Sequence, residues 1–274
     1  MKMDNERESA NLEDRRGQRG RIGLGGGAGI GGIGLVAVML ISMLLGVDPS
    51  VVLSTIGGGG EAPTTQQASA PAPTEDAHAR FVSRVLASTE DVWTAEFERA
   101  NRRYQAPRLV LFSGAVQSGC GAAQSAMGPF YCPADQRVYI DLSFFREMER
   151  RLGAPGDFAQ AYVIAHEVGH HVQNLLGRLQ SGHGNAASVR TELQADCLAG
   201  YWARRANEMR RILERGDIEE GMAAAAAVGD DRLQQASRGQ VVPESFTHGS
   251  SAQRVTAFKT GMAAPAVNAC LGRS

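Results

Sequence analysis

Two histidines and a glutamate near the middle of the chain have the residue types and spacing of a metal-dependent hydrolytic centre. The sequence here reads His166-Glu167-Val168-Gly169-His170. On a helix, residues four positions apart project from the same face, so the two imidazoles can bind one ion. Glu167 lies one residue further round, where its carboxylate can reach a metal-bound water without binding the metal. The pattern predicts zinc held by two imidazoles, with Glu167 as general base.

A catalytic zinc ion takes three protein ligands and keeps a fourth position open, so a third ligand must come from elsewhere in the chain. The metzincin continuation of the motif requires glycine and histidine where the chain has Gln173 and Leu176. Downstream, Glu192 and Asp196 again lie four positions apart. We expect Glu192 to bind the metal and Asp196 to accept a hydrogen bond from the outer ring nitrogen of a ligand histidine. The alternative is that both acids lie on a solvated helix face.

These residues suit hydrolysis of a peptide bond, in which Glu167 takes a proton from water and passes it to the leaving amine. A further donor is expected to stabilise the developing oxyanion. His248 and Arg254 are the candidates, and Tyr139 is a third. The alternative for His248 and Arg254 is a structural cap and a surface arginine. Two imidazoles and a carboxylate suit zinc, while manganese and cobalt stay open.

The elements that position these residues are mostly helices, with a small sheet early in the folded part. Apolar residues recur at helical spacing, and short β-favouring runs precede the motif. Helices are predicted over 75–102, 144–152, 157–176, 188–209, 218–228 and 250–261, with a further short helix capped by Asp230 or Asp231. Strands are predicted over 109–112 and 138–142, joined by an irregular connection over 114–135. The second strand is expected at a sheet edge, where it could pair with extended substrate. The predicted fold class is therefore α+β, mostly helical.

The region before the folded part predicts a membrane anchor. Residues 22–47 contain no charged side chain, and a helix needs about 20 such residues to cross a bilayer. Arginines precede this stretch and none follows it until Arg80, which predicts a cytoplasmic N-terminus and an exported domain. The alternative is a cleaved signal peptide. The predicted division is a cytoplasmic tail (1–21), a transmembrane anchor (22–47), a flexible Gly/Pro/Ala/Thr linker (48–74) and a peptidase domain (75–274).

The four cysteines agree with an exported domain, because disulfides persist outside the cytoplasm. We expect Cys120 to pair with Cys132, since only a short excursion separates them. Cys197 is then expected to pair with Cys270, which would tie the end of the chain to a central helix. The alternative is that some of the four are buried free thiols.

The composition is that of a folded protein rather than a disordered one. The chain has 274 residues, of which 43% are hydrophobic and 21% charged, so it can bury a core. It carries 28 basic and 29 acidic residues, a formal net charge of −1. This balance argues against a nucleic-acid partner, which usually requires a basic surplus on one face.

Taken together, the motifs resemble those of the neutral zinc metallopeptidases of the bacterial envelope. The segments that carry the resemblance are SGCG (118–121), GPFYCP (128–133), VYID (138–141), AYVIAHEVGHH (161–171), ELQADC (192–197) and FTHG (246–249). The resemblance implies a zincin-like peptidase domain behind an N-terminal membrane helix. It also implies His166, His170 and Glu192 as zinc ligands and Glu167 as catalytic base.

The sequence thus predicts a membrane-anchored zinc peptidase, gluzincin-like and an endopeptidase, that acts on a peptide or protein substrate. The second hypothesis is a non-catalytic envelope assembly or binding protein that keeps a structural zinc site. Glu167 separates the two hypotheses, because a purely structural site needs no base beside an open position.

Overall fold

Helices predominate in the computed structural model, which describes residues 1–17, 77–179 and 184–272. The helices are α1 (Ala77–Arg99), α2 (Ser143–Arg150), α3 (Asp157–Leu175), α4 (Asn185–Arg210), α5 (Asp217–Ala227), α6 (Asp230–Arg238), α7 (Ser251–Ala263) and α8 (Asn268–Leu271). The strands are β1 (Leu12–Asp14), β2 (Arg108–Phe112), β3 (Ala115–Ser118), β4 (Gly121–Gln124), β5 (Phe130–Cys132) and β6 (Arg137–Asp141). The predicted α+β class with a small sheet is confirmed.

The main sheet has four strands in the order β1-β2-β6-β5. Strands β1, β2 and β6 run parallel, and β5 runs antiparallel to β6. Four of the five residues in each of β2 and β6 are buried, as expected for strands with both faces covered. The expectation that the strand before the motif helix lies at a sheet edge is wrong, because β6 lies between two neighbours. The edge beside the motif helix is β5 instead.

The connection between β2 and β6 is more regular than its glycine and proline content predicts. Strands β3 and β4 pair as an antiparallel hairpin, and β5 joins the main sheet. The disulfide between Cys120 and Cys132, the pairing that the short excursion favours, links the turn of the hairpin to β5. Strands of three or four residues are too short for a period-two pattern to stand out in such a segment.

Residues 1–17, which the sequence divides from the domain as a tail, form part of the domain in the structure. Strand β1 pairs with β2, and the side chains of Met1 and Met3 are buried in the main core. The predicted anchor (22–47) and linker (48–74) lie outside the described residues. Within the described part of the chain, none of the helices combines the length and apolar character that a bilayer span requires.

Helix α3, which carries the motif, lies inside the core. Fourteen of its 19 residues are buried, because it packs against α1, α4, α5 and strand β5. Its observed bounds agree with the helix predicted over 157–176, and Gly156 stands at the N-cap. Packing on all sides leaves the imidazoles of this helix little freedom to move.

Helices α4 and α7 cross at very short distance, which brings residues of the C-terminal part to the motif. A Cβ atom added at Gly261 would lie 1.8 Å from the carbonyl oxygen of Cys197, so only glycine permits this contact. The disulfide between Cys197 and Cys270, also the favoured pairing, ties α8 to α4. Ser250 begins α7 with a capping box that includes Gln253, at the predicted start of that helix.

Candidate metal centre

The two histidines of the motif lie on adjacent turns of α3 and face the same space. Their ring centroids are 4.8 Å apart and the rings are nearly perpendicular. His166 is 6% exposed, and the side chain of His170 is 12% exposed. Compared as side chains, the two imidazoles are 8% and 12% exposed, so both are largely shielded from solvent.

Helix α4 supplies the third side chain of the cluster. One carboxylate oxygen of Glu192 lies 3.1 Å from Nε2 of His166, and the other lies 3.5 Å from Nε2 of His170. The two helices approach closely because Gly169 faces α4, where an added Cβ would lie 3.1 Å from the carbonyl oxygen of Ala195. One ligand atom from each of the three side chains falls within 4.8 Å of the others. The three predicted ligands are thus brought together.

The outer nitrogens of both imidazoles are occupied by acceptors. Nδ1 of His166 lies 2.8 Å from a carboxylate oxygen of Asp196, and Nδ1 of His170 lies 2.8 Å from Oε1 of Gln173. The amide group of Gln173 donates to the carbonyl oxygen of Thr191, which turns its oxygen towards His170. Each Nδ1 must therefore carry the proton, and the lone pair of each neutral ring lies on Nε2. Two such nitrogens and a carboxylate fit zinc.

A buried network of charged and polar groups supports His166 on its Nδ1 side. Arg254 on α7 donates to both carboxylate oxygens of Asp196, each at 2.9 Å. Its third nitrogen donates to the carbonyl oxygen of Val228. Tyr162, one turn before His166, donates to Asp196 as well. Asp196 is 0% exposed and Arg254 is 3% exposed, so the pair is shielded from solvent.

The structure does not place Arg254 where the sequence analysis expects it. A donor for an oxyanion has to face the open side of the metal, whereas the guanidinium of Arg254 lies behind His166 and is engaged with Asp196 and Val228. Tyr139 also lies elsewhere, because its hydroxyl donates to Asp135 at 2.6 Å. Arg254 and Tyr139 therefore support the surrounding structure. Of the three expected donors, His248 is the one that lies near the centre.

The charges around the cluster favour a cation at this place. Burial lowers the pKa of His166, but the charge and hydrogen bond of Asp196 and the contact with Glu192 raise it to about 10. Burial raises the pKa of Glu192, but the imidazole of His170 and the contact with His166 hold it well below its usual range. The metal-free site thus attracts a proton, and a divalent cation would satisfy the same carboxylates.

Glu167 lies beside the cluster without joining it. Its side chain is buried, at 7% exposure, and burial raises its pKa despite the opposing effect of the imidazoles of His166 and His170. A carboxylate with a raised pKa next to a metal position has the proton affinity that a general base requires. This is the position that the motif predicts for Glu167.

His248 lies in the loop before α7, on the side of Glu192. The buried carboxylate of Asp230 accepts the backbone N–H groups of Thr247, His248 and Gly249 at 2.6–2.9 Å. Its other oxygen lies 3.3 Å from Nδ1 of His248. The side chain of His248 is 36% exposed. Asp230 therefore fixes both the loop and the ring.

His171 faces away from the metal position and fastens α3 to the sheet. Its ring nitrogens lie 3.0 Å from the hydroxyl of Tyr131 and 2.6 Å from the carbonyl oxygen of Gln105. Asn174 donates to the same hydroxyl at 2.8 Å. Burial lowers the pKa of His171, so the neutral ring acts as a packing residue.

Three residues of the centre are missed by the sequence analysis. Tyr162 lies four positions before His166 and Gln173 three positions after His170, so helical spacing alone was a usable signal for both. Asp230 gives no such signal, because its partners follow about 17–19 residues later in a loop. Only the fold brings that carboxylate to His248.

Comparisons with known proteins agree with this geometry. A family model described as "Putative neutral zinc metallopeptidase" matches residues 1–272. Uncharacterized protein YpfJ of Escherichia coli strain K12 is 49% identical over 276 residues, which cover 95% of this chain and 94% of that protein. Uncharacterized protein Rv2575 of Mycobacterium tuberculosis strain H37Rv is 43% identical over 251 residues, 84% of each chain. None of the solved structures matches the chain. The near-complete family match shows that the chain belongs to the neutral zinc metallopeptidase family.

Proposed function

We propose that this chain is a zinc-dependent peptidase, gluzincin-like and an endopeptidase, that hydrolyses peptide bonds in peptide or protein substrates. The observation that carries the proposal is the convergence of His166, His170 and Glu192 beside the buried carboxylate of Glu167. Both imidazoles have their outer nitrogens occupied, which leaves the inner nitrogens for a metal ion. A zincin-like arrangement of the domain is part of the proposal.

The residues of the centre divide the reaction between them. Zinc, when bound by His166, His170 and Glu192, supplies Lewis acidity that makes a water molecule easier to deprotonate. Glu167 takes the proton of that water and delivers it to the nitrogen of the departing amine. His248, oriented by Asp230, donates from Nε2 to the oxyanion that develops on the peptide carbonyl.

The edge strand β5 supports a role for extended substrates. It has a paired neighbour, β6, on one side only, and it packs against the motif helix. Main-chain groups on the free side of an edge strand can pair with an extended peptide. Such pairing recognises the backbone of the substrate rather than its side chains. It therefore favours a peptide or protein substrate without setting the cleavage preference.

Both disulfides support a periplasmic or extracellular location.

The test compares the parent chain with Glu167→Gln for zinc content and for cleavage of a quenched-fluorescent peptide library. We expect Glu167→Gln to retain stoichiometric zinc and to lose cleavage by at least about 100-fold, because general-base catalysis contributes that much. A His248→Ala variant should lower kcat with zinc content unchanged. Unchanged cleavage by Glu167→Gln would refute the proposed base. Zinc binding without cleavage by the parent would favour the alternative, a non-catalytic envelope assembly or binding protein with structural zinc.

A further inference from the structure

The N-terminal segment, residues 1–17, is built into the domain through its backbone. In β1, Leu12 pairs with Leu109 and Asp14 with Leu111. The backbone N–H of Leu109 donates to Asn11 at 2.9 Å, and that of Arg15 donates to Leu111 at 2.8 Å. These bonds flank both ends of the strand, so the segment completes the edge of the sheet rather than touching it at one point.

Side chains of the same segment satisfy a buried acid of α1. Glu90 is 7% exposed, and one of its oxygens accepts from Arg7 at 2.8 Å. Its other oxygen accepts from Ser9 and, at 2.8 Å, from Asn11. The backbone N–H of Ser9 also donates to the hydroxyl of Ser83 at 2.9 Å. A buried carboxylate that draws its partners from the segment ties the segment to the domain.

Two basic residues of the segment, Arg15 and Arg16, form ion pairs within it. Arg15 donates to Glu13 at 2.7 Å, and Arg16 lies 2.6 Å from Asp14. These two arginines belong to the group that, in the sequence, predicts a cytoplasmic N-terminus. Both ion pairs lie at the C-terminal end of β1.

We propose that residues 1–17 lie on the same side of the membrane as the domain that they complete, residues 77–179 and 184–272. Paired strands lie about 4.8 Å apart, whereas the hydrocarbon core of a bilayer is about 30 Å thick. A chain that crossed once between residues 17 and 77 could not form β1–β2 pairing or the contacts of Glu90. The family match also includes residues 1–17. The proposal is independent of peptidase activity.

The experiment labels two single-cysteine positions in the full chain, one in each part. Asn5 and Glu98 are both exposed, and all four native cysteines are in disulfides, so Asn5→Cys and Glu98→Cys each add one reactive thiol. Spheroplasts expressing either variant are treated with a membrane-impermeant maleimide before and after permeabilisation. We expect both positions to react to the same extent without permeabilisation. Reaction of both only after permeabilisation supports the proposal equally, because the two thiols are again on one side.

The proposal is overturned if one thiol is labelled in intact spheroplasts and the other is labelled at least tenfold less until permeabilisation.

A second experiment tests the contact between Ser9 and Ser83 by disulfide crosslinking. Ser9 and Ser83 are buried against each other, so Ser9→Cys/Ser83→Cys should close a disulfide when intact cells receive a membrane-permeant oxidant. We expect most chains to show a mobility shift that is reversed by reductant and absent from both single variants. No shift beyond that of the single variants would contradict the contact.

Discussion

The Nδ1 atoms of the two histidines in the centre contact different kinds of acceptor, one charged and one neutral. His166 is backed by Asp196, which is paired with Arg254 and bound by Tyr162. His170 is backed by the neutral amide of Gln173. We call these the charged wall (Tyr162, Asp196 and Arg254) and the neutral wall (Gln173 and its acceptors).

The two walls fix an imidazole in different ways. The charged wall draws on three helices, α3, α4 and α7, and leaves a carboxylate and a guanidinium buried together. Such a pair costs much to desolvate, and removal of one partner leaves an uncompensated charge. The neutral wall uses only α3 and α4 and buries no charge. The charged wall should therefore dominate stability, whereas both walls should tune metal affinity.

The largest effect is expected from Asp196→Asn, which keeps the shape of the side chain and removes its charge. Arg254 then stays buried without a counter-charge, so the free energy of unfolding should fall by about 3–5 kcal/mol. Zinc affinity should fall about 10–100-fold, because the outer nitrogen of His166 loses its carboxylate. Urea unfolding and competitive zinc titration measure the two quantities.

The control for this change is the double variant Asp196→Asn/Arg254→Met, in which both charges are gone. We expect it to regain most of the lost stability while zinc affinity stays low. A double variant as unstable as Asp196→Asn would show that the charge pair does not explain the loss.

The charged wall also predicts a pH dependence of the metal-free protein. The folded-state pKa of His166 is raised from 6.5 to about 10, the lowering effect of burial being outweighed by Asp196 and Glu192. A raised pKa contributes stability that is fully present below about pH 6.5 and is lost as pH rises towards 10. Chelator-treated protein should therefore lose stability across this window, as measured by urea midpoints at a series of pH values. Zinc-loaded protein should keep its stability across the same window, because the metal ion takes the place of that proton on His166. Equal slopes in both forms would contradict the assignment.

An intermediate effect is expected from Gln173→Leu, which removes the neutral wall. Gln173 is 0% exposed, and its loss leaves Nδ1 of His170 and the carbonyl oxygen of Thr191 without their partner. We expect a loss of about 1–3 kcal/mol and about 10-fold weaker zinc binding. Gln160→Leu on the same helix is the matched control, since Gln160 is only partly buried. If both variants bind zinc equally well, Gln173 does not support the metal position.

The sequence predicts the side chains that α3 and α4 contribute to this centre well, because spacing within one helix is a local property of the sequence. Spacing of four residues on one helix brings His166 to His170, and the same spacing brings Glu192 and Asp196 to one face. The bounds of α3 follow from apolar periodicity and from Gly177 just after its end. Local patterns of this kind do not depend on the rest of the fold.

The parts that the sequence misses depend on contacts between distant segments. Arg254 reads as a possible surface arginine, and only the close crossing of α4 and α7 at Gly261 carries it to Asp196. Strand β1 has a polar sequence, and its partner β2 follows about 100 residues later. Neither contact leaves a periodic trace in the sequence, so neither could be derived from one chain alone.

The smallest effect, and the sharpest probe of the charged wall, is expected from Tyr162→Phe. The hydroxyl of Tyr162 donates to Asp196, but the carboxylate keeps its bonds from Arg254 and His166. The same hydroxyl accepts from Arg254 at 3.3 Å. Loss of these two bonds among several should cost about 1–2 kcal/mol and change zinc affinity only a few-fold. Tyr201→Phe is the control, because its hydroxyl contacts Glu96, which has no contact with the metal cluster. If Tyr162→Phe weakened zinc binding as strongly as Asp196→Asn, the hydroxyl rather than the charge pair would be the main support of His166, and the distinction between the two walls would fail.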